Sequence, residues 1–315
     1  EITTRLVGSE MCIRDRHISF RISTLLIMDV SVIIVTYNTL ALTRDCIDSI
    51  FRHTANIQFE VIVVDNASED GSYDYFSKDR RIIYVHSREN MGFGRANNLG
   101  LEYASGKYIF LLNSDTYLKN NAIKIFKDAM DVEPESVVCL GAILEDSSGM
   151  PVRSYGPFLS FGQFFVRSLR NTPPRSVPVD GFIVPVVIGA DLFIRRDIIE
   201  KEGFFDPVFF MYHEENDLQR RYAAAGCSSK IIAGPQIVHL EGKSSKSRIN
   251  MLAIEGGFIY MKKWTAYGVY LLYRILYAIT RFPKVFFVEA PFRQKIKFLS
   301  VLFFYKAPAT HLRRL

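Results

Sequence analysis

Several features are scarce in this 315-residue chain, and each scarcity excludes something. It has four cysteines, Cys12, Cys46, Cys139 and Cys227, and no two stand in a CxxC spacing. That removes a zinc ribbon and a disulfide framework, leaves free buried thiols as the expectation, and suits a reducing cytoplasm. There is no internal repeat, so no solenoid. No segment reads as a secretory h-region: the run Leu25–Ile27 is far too short. The longest apolar stretch, Trp264–Thr280, covers 17 residues, is broken by Arg274 and is flanked by Lys262, Lys263 and Arg281. A spanning helix needs about 20 residues, so this one is expected to lie in a membrane interface with its basic residues at the headgroups. Closing helices or a homodimer contact are the other reading. The Gly-rich segment Asn90–Gly100 lacks GxGxxG spacing and the GK[ST] of a P-loop, so it carries neither the dinucleotide nor the P-loop signature.

What is present is a foldable chain, 49% hydrophobic and 23% charged. The net charge of +6 is unevenly spread. Residues 260–315 hold eleven Lys and Arg against one acid, Glu289, so the preceding residues are net acidic by about four. A basic tail rich in Tyr, Phe and Leu fits an anionic membrane surface better than nucleic acid. Residues 1–27 show no period and are expected to be a non-native or disordered leader; 28–259 are expected to form the main domain and 260–315 a basic, aromatic helical tail.

Strand-like runs alternate with helical ones from residue 29: strands at 29–36, 60–65, 81–86, 108–112 and 137–144, and helices at 40–53, about 94–104 and about 119–131. The pattern predicts an α/β fold, Rossmann-like, with a mostly parallel sheet and helices on both faces. A single long strand is expected at 182–194, a polar cluster at 212–221 and a loop around His239. Ligands bind such sheets beyond the carboxyl ends of the strands. The polar groups there are Thr36-Tyr37-Asn38, Asp65-Asn66 and Asn113-Ser114-Asp115.

Asp115 leaves a strand buried on both faces and suits a hard divalent cation bridging a diphosphate, although a turn-forming Asx cluster would read the same way. Asp65 suits a nucleotide hydroxyl or a cap. The Gly-rich Asn90–Gly100 segment allows a ligand to approach backbone, with Arg95 and Asn97 near phosphates. Glu214, Glu215 and Asp217 form the densest acidic run; crowded carboxylates raise each other's pKa, as a general base requires, and acids also favour helix N-termini. His239 reads as a metal or phosphate ligand, or as a structural histidine. Lys243, Ser244 and Ser245 follow it as candidate phosphate contacts.

Seven motifs in order resemble the family 2 glycosyltransferases of GT-A fold, and within them a bacterial rhamnosyltransferase-like branch: SVIIVTYN (31–38), VIVVDNASEDGS (61–72), NMGFGRANNLG (90–100), FLLNSDT (110–116), GADLFIRR (189–196), FFMYHEENDLQRR (209–221) and VHLEGKSS (238–245). The resemblance implies that Thr36, Tyr37, Asn38 and Asp65 bind the nucleoside and that Asn90, Phe93, Gly94 and Asn97 lie along the donor. It implies that Asn113 and Asp115 form the metal and diphosphate motif, with His239 as a further ligand for Mg²⁺ or Mn²⁺. Asp191 would border donor sugar and acceptor, and Glu215 would be the base, supported by Glu214 and Asp217. The chain departs from the family's common Asp-x-Asp at Asn113 and from its common Glu-Asp-x-Asp at Glu215. The implied partners are a nucleotide-sugar donor, with dTDP-rhamnose the suggestion of the branch, a glycan or lipid-linked glycan acceptor, and the cytoplasmic face of the inner membrane. A nucleotidyltransferase would want a Gly-rich basic loop after the first strand, and VTYNTLALTR has none. A non-catalytic glycan-binding relative would not need the acids at 214–217.

Overall fold

The computed structural model describes residues 28–162, 177–240, 250–283, 286 and 292–308. The expected leader and the 243–245 contacts lie outside the described residues. Three largely apolar runs, β1 (Val30–Thr36), β2 (Phe59–Asp65) and β4 (Tyr108–Leu112), are mostly buried and pair in parallel. Strand β3 (Ile83–His86) extends them at one edge. The other half of the sheet holds β6 (Val137–Gly141), β8 (Phe182–Val184), β10 (Asp191–Arg195) and β11 (Ser228–Ile231), in the order β3-β2-β1-β4-β10-β6-β11-β8. β10 runs antiparallel to both β4 and β6, and β8 antiparallel to β11. The sheet is therefore mixed, with a parallel majority.

The expected single strand at 182–194 is three strands. Pro185 cannot donate to a ladder and separates β8 from β9 (Val186–Val187), and the Gly189-Ala190 turn separates β9 from β10. β9 pairs instead with β7 (Tyr155–Gly156) in a small sheet of its own. The region around His239 is likewise a strand: β12 (Ile237–His239) pairs antiparallel with β5 (Thr116–Leu118), placing His239 opposite Thr116.

Helices cover both faces. On one side Cys46, Ile47 and Ile50 of α1 (Leu40–His53) and Phe126 of α4 (Ala122–Val132) close a core with Val32, Ile34 and Phe110. On the other, Ala96 of α3 (Phe93–Leu101), Ile198 of α5 (Arg196–Glu202) and Leu218 of α6 (Glu214–Ala224) close a core with Ile33, Val64 and Leu111. A third core is formed by α7 (Met251–Trp264), α8 (Tyr267–Arg281) and α9 (Phe292–Phe304), through Phe258, Tyr273 and Phe298 among others. α7 starts at Asn250, whose side chain caps it by accepting from Ala253 N–H at 3.0 Å. The expected boundary at 259/260 falls inside this helix.

Candidate active site

Because β1, β2 and β4 are parallel and β10 is antiparallel to β4, their carboxyl ends and the amino end of β10 share one edge. Asn113, Ser114 and Asp115 follow β4 directly, and the Asn113 N–H donates to the Ala190 carbonyl at 3.1 Å. The β5–β12 ladder brings His239 to the same place. Its Nε2 lies 3.3 Å from Asp115 Oδ1 and 3.4 Å from Asn113 Nδ2. The Leu240 N–H, donating to the Asp115 carbonyl at 2.9 Å, fixes the register. Residues 124 positions apart in sequence thus form one cluster of carboxylate, imidazole and amide.

Beside it, the loops after β1 and β2 are cross-tied. Asn38, at φ 54°, accepts from Glu69 N–H at 2.7 Å through Oδ1, and its own N–H donates to Ser68 Oγ at 2.9 Å. Tyr37 stands free of this lattice, 48% exposed, as a flat surface beside the strand ends. The Gly-rich segment is pinned from beneath by Asn66, a strand-end polar group to which the sequence assigned no role. Asn66 Nδ2 donates to Asn90 Oδ1 at 2.9 Å, and its Oδ1 accepts from Met91 N–H at 2.8 Å. Its place directly after Asp65 was the available signal. Phe93 N–H donates to Phe210 O at 2.9 Å, and the Phe93 ring lies against Gly189. So the 90–100, 189–191 and 209–217 motifs meet.

Gly92 makes that meeting possible. Its φ is +82° and a Cβ there would stand 2.0 Å from the Phe210 carbonyl oxygen. Gly92→Ala is expected to lower unfolding stability by more than the ~1–3 kcal/mol of backbone strain alone, since the carbonyl must also move. Chemical denaturation measures this, and a loss under ~1 kcal/mol would contradict the close packing.

Four residues expected to make direct contacts are buried. The Thr36 hydroxyl is sealed and hydrogen-bonds Thr43 Oγ1 at 2.8 Å and Thr39 Oγ1 at 3.0 Å. Asp65 accepts from Ser68 N–H at 2.8 Å and from the Tyr84 hydroxyl at 2.5 Å, so one oxygen shapes the following turn and the other is tied to β3. Asn97 donates back to the Phe93 carbonyl at 3.0 Å inside α3. Asp191 is fully buried, with Oδ2 accepting from Ala142 N–H at 2.7 Å and Oδ1 without a hydrogen bond. Burial drives its carboxyl well above the usual carboxylate range, which favours the uncharged form. These four hold the backbone of the site and present no open side chain. Asn38, Asn90, Phe93, Asn113 and Asp115 remain at least partly accessible.

The acidic run divides by environment. Glu214 is buried against Gly94, with Oε2 lacking a hydrogen-bond partner. Burial first, and then the charge of Glu215, push its pKa well up. Glu215 is half-buried; burial raises its pKa too, while the Arg153 guanidinium opposes the rise. Glu215 therefore ionises before Glu214. Asp217 is neither. It accepts from Lys263 Nζ at 2.8 Å, Trp264 Nε1 at 2.7 Å and Arg221 Nε at 3.2 Å, and Lys263 also holds Asp206 at 2.8 Å. Its support is to the framework, through four charged groups closed from solvent. The α6 N-terminus is set by Tyr212 and His213, both at φ 70°. Gly256 of α7 allows their close approach: a Cβ there would lie 2.4 Å from the Tyr212 carbonyl oxygen.

A mixed sheet with its polar cluster beyond the strand ends, a carboxylate–imidazole pair at the exit of β4 and a buried acidic helix start define a GT-A type fold. It is similar to the mannosyltransferase of Pyrobaculum calidifontis solved with GDP-Man and Mn²⁺, with a TM-score of 0.53 and 16% identity, covering 87% of this chain and 85% of that one. Residues 31–203 match the model of glycosyl transferase family 2, and the chain belongs to that family. Among relatives, the putative glycosyltransferase EpsH of Bacillus subtilis is 30% identical over 129 residues, 40% of this chain and 37% of that protein. The poly(ribitol-phosphate) beta-glucosyltransferase of Bacillus spizizenii is 31% identical over 102 residues, 30% of this chain and 16% of that protein. The chain thus spans well under half the length of these relatives.

Proposed function

We propose that the chain transfers a sugar, with a deoxyhexose such as rhamnose as first candidate, from a nucleotide-diphosphate donor to a hydroxyl of a lipid-linked or growing cell-surface glycan, with inversion. The observation that carries this reading is the Asp115–His239 pair, 3.3 Å apart at the strand exits. A relative named a poly(ribitol-phosphate) beta-glucosyltransferase and a fold neighbour solved with GDP-Man and Mn²⁺ support it.

Among the described residues there is no group of three or more His, Cys, Asp or Glu able to hold a metal alone. One carboxylate, one imidazole and the Asn113 amide nonetheless fit a cation that keeps most of its positions for phosphate oxygens and water, as Mg²⁺ and Mn²⁺ do. When bound, the ion stabilises charge on the departing diphosphate. The chain's own groups do the rest. The Asn38–Glu69 and Asn66–Asn90 ties hold the nucleotide side of the cleft. Glu215 takes the acceptor hydroxyl's proton as that oxygen bonds to the anomeric carbon. The bond from that carbon to the diphosphate breaks, and the nucleoside diphosphate leaves with the electron pair.

The test is a thermal-shift screen of nucleotide sugars with Mn²⁺ or Mg²⁺, followed by assay of nucleoside diphosphate release. A donor should raise the apparent Tm by mass action and do so more strongly with the metal. Failure of every nucleotide sugar to bind would sink the reading. Asp115→Ala should lower metal-supported turnover by about 10²–10³-fold, the usual effect of removing one stabiliser of developing charge. His239→Ala should raise the metal concentration needed for half-maximal activity. If Asp115→Ala left the divalent-ion dependence unchanged, the assignment of the ligand pair would fail.

A further inference from the structure

Helix α8 carries its side chains the wrong way round for a helix facing water. An ordinary surface helix buries its aliphatic stripe. This one buries Tyr270, Tyr273 and Ala278, and keeps Arg274 half-buried over the rings of Phe258, at 5.0 Å, and Tyr270, at 5.9 Å. Toward solvent it shows Leu271, Leu272, Ile275 and Ile279, one stripe at helical spacing, with Ile275 57% and Ile279 62% exposed. Phe282 carries the stripe past the helix end, where its ring meets Phe303 of α9 at 6.1 Å. Phe292 and Ile296 of α9 are exposed as well, at 77% and 50%.

The charge around this face is mostly positive, with Glu255 of α7 the acid within reach of the Lys297 charge. From Gly256 to Leu315 the only acid in the sequence is Glu289. Arg293 and Lys297 are exposed on α9 beside its apolar residues. A second copy docking face to face would set these cations against their own equivalents, because a two-fold interface pairs a surface with itself. An anionic, apolar partner meets both features. Among the described residues, no helix is long and apolar enough to cross a membrane, so contact is in the plane.

We infer that the α8–α9 face lies in the headgroup boundary of an anionic bilayer. The stripe Leu271, Leu272, Ile275 and Ile279 enters the acyl region, and Arg293 and Lys297 sit at lipid phosphates. α8 follows α7 after Thr265 and Ala266, and α7 is tied to the acidic helix α6 by Lys263. The bilayer contact thus fixes how the candidate active site stands over the surface. The inference shares with the proposed reaction only the presence of an acceptor at that surface. Lipid binding is measured without donor or acceptor, so the two fail separately.

The experiment is flotation of the full chain with vesicles of phosphatidylglycerol and phosphatidylcholine, or of phosphatidylcholine alone, at low salt. The chain should float with the anionic vesicles and at least about tenfold less with the neutral ones. Ile275→Asp with Ile279→Asp should reduce flotation at least about tenfold at unchanged Tm. Arg293→Gln with Lys297→Gln, which alters no packed side chain, should weaken binding to anionic vesicles only. Absence of the wild-type chain from the floating fraction would overturn the inference, as would flotation that neither variant pair reduces. A dimer in sedimentation velocity that Ile275→Asp with Ile279→Asp splits would assign the face to a second copy and overturn it equally.

Discussion

Glu215→Gln is expected to lower kcat by about 10³-fold, within the 10²–10⁴ range of a positioned general base, while leaving the affinity for nucleoside diphosphate unchanged. The amide keeps the shape of the side chain and removes only its ability to take a proton. Glu214→Gln should retain most activity, since Glu214 is the buried member of the pair and the one whose pKa is pushed up further. The pH profile separates the two further. Burial raises the Glu215 pKa and Arg153 opposes the rise, so the acidic limb of kcat/KM should lie above the ordinary glutamate value of about 4.3. Arg153→Met should move that limb to still higher pH. The sign for stability is the reverse of the usual carboxylate. A carboxyl whose pKa is raised on folding contributes stability that is complete below its unfolded pKa and is lost as pH rises through its folded one. Tm of the wild type should therefore carry a component that falls across that window, and Glu214→Gln should remove much of it. Turnover within tenfold of wild type for Glu215→Gln would remove Glu215 from the role.

The distribution of these roles shows what a sequence discloses. The strand exits were legible because β1, β2 and β4 are continuous buried runs, and each ends in residues that cannot extend a core. Asp115 and His239 were legible as types and order, while their meeting depended on the β5–β12 ladder, a pairing between distant segments that no local pattern encodes. The antiparallel β10 was hidden for the same reason. Side-chain direction was the larger loss. Thr36, Asp65 and Asp191 end or begin strands at the expected edge, yet each turns inward to a hydroxyl or N–H that only the folded chain supplies. Lys263 was misleading in the other sense. In a tail rich in cations it reads as a headgroup contact beside Lys262, whereas its ammonium is closed from solvent between Asp206 and Asp217. Lys262 too is occupied, donating to the carbonyls of Ala307 and Pro308. The exposed cations are further along, on α9.

Lys263→Met is expected to lower unfolding stability by about 3–5 kcal/mol, the usual consequence of removing one partner from a buried charge cluster. The wild-type cluster balances two carboxylates against Lys263 and Arg221, all buried. Without the ammonium, two buried carboxylates are left with one cation, Arg221 on Asp217. Arg221 cannot turn to help, because its guanidinium already donates to the carbonyls of Glu202 and Phe204. Lys263→Arg should recover only part of the loss, since a planar fork does not fit a site built around one point donor at 2.8 Å from each of two carboxylates. Lys263→Met combined with Asp217→Asn should be more stable than the two single losses summed, with a coupling of about 0.5–3 kcal/mol in a double-mutant cycle, because the pair is in direct contact. The position matters for function as well. Lys263 lies beyond the 31–203 family match, on the helix that leads to the exposed α8 stripe, and it holds Asp217 two residues from Glu215. Release of that hold frees the first turn of α6, so kcat should fall with the loss of stability even at temperatures where the variant stays folded. A Lys263→Met chain within 1 kcal/mol of wild type, or one with full kcat, would show that the cluster neither supports α6 nor links it to the C-terminal helices.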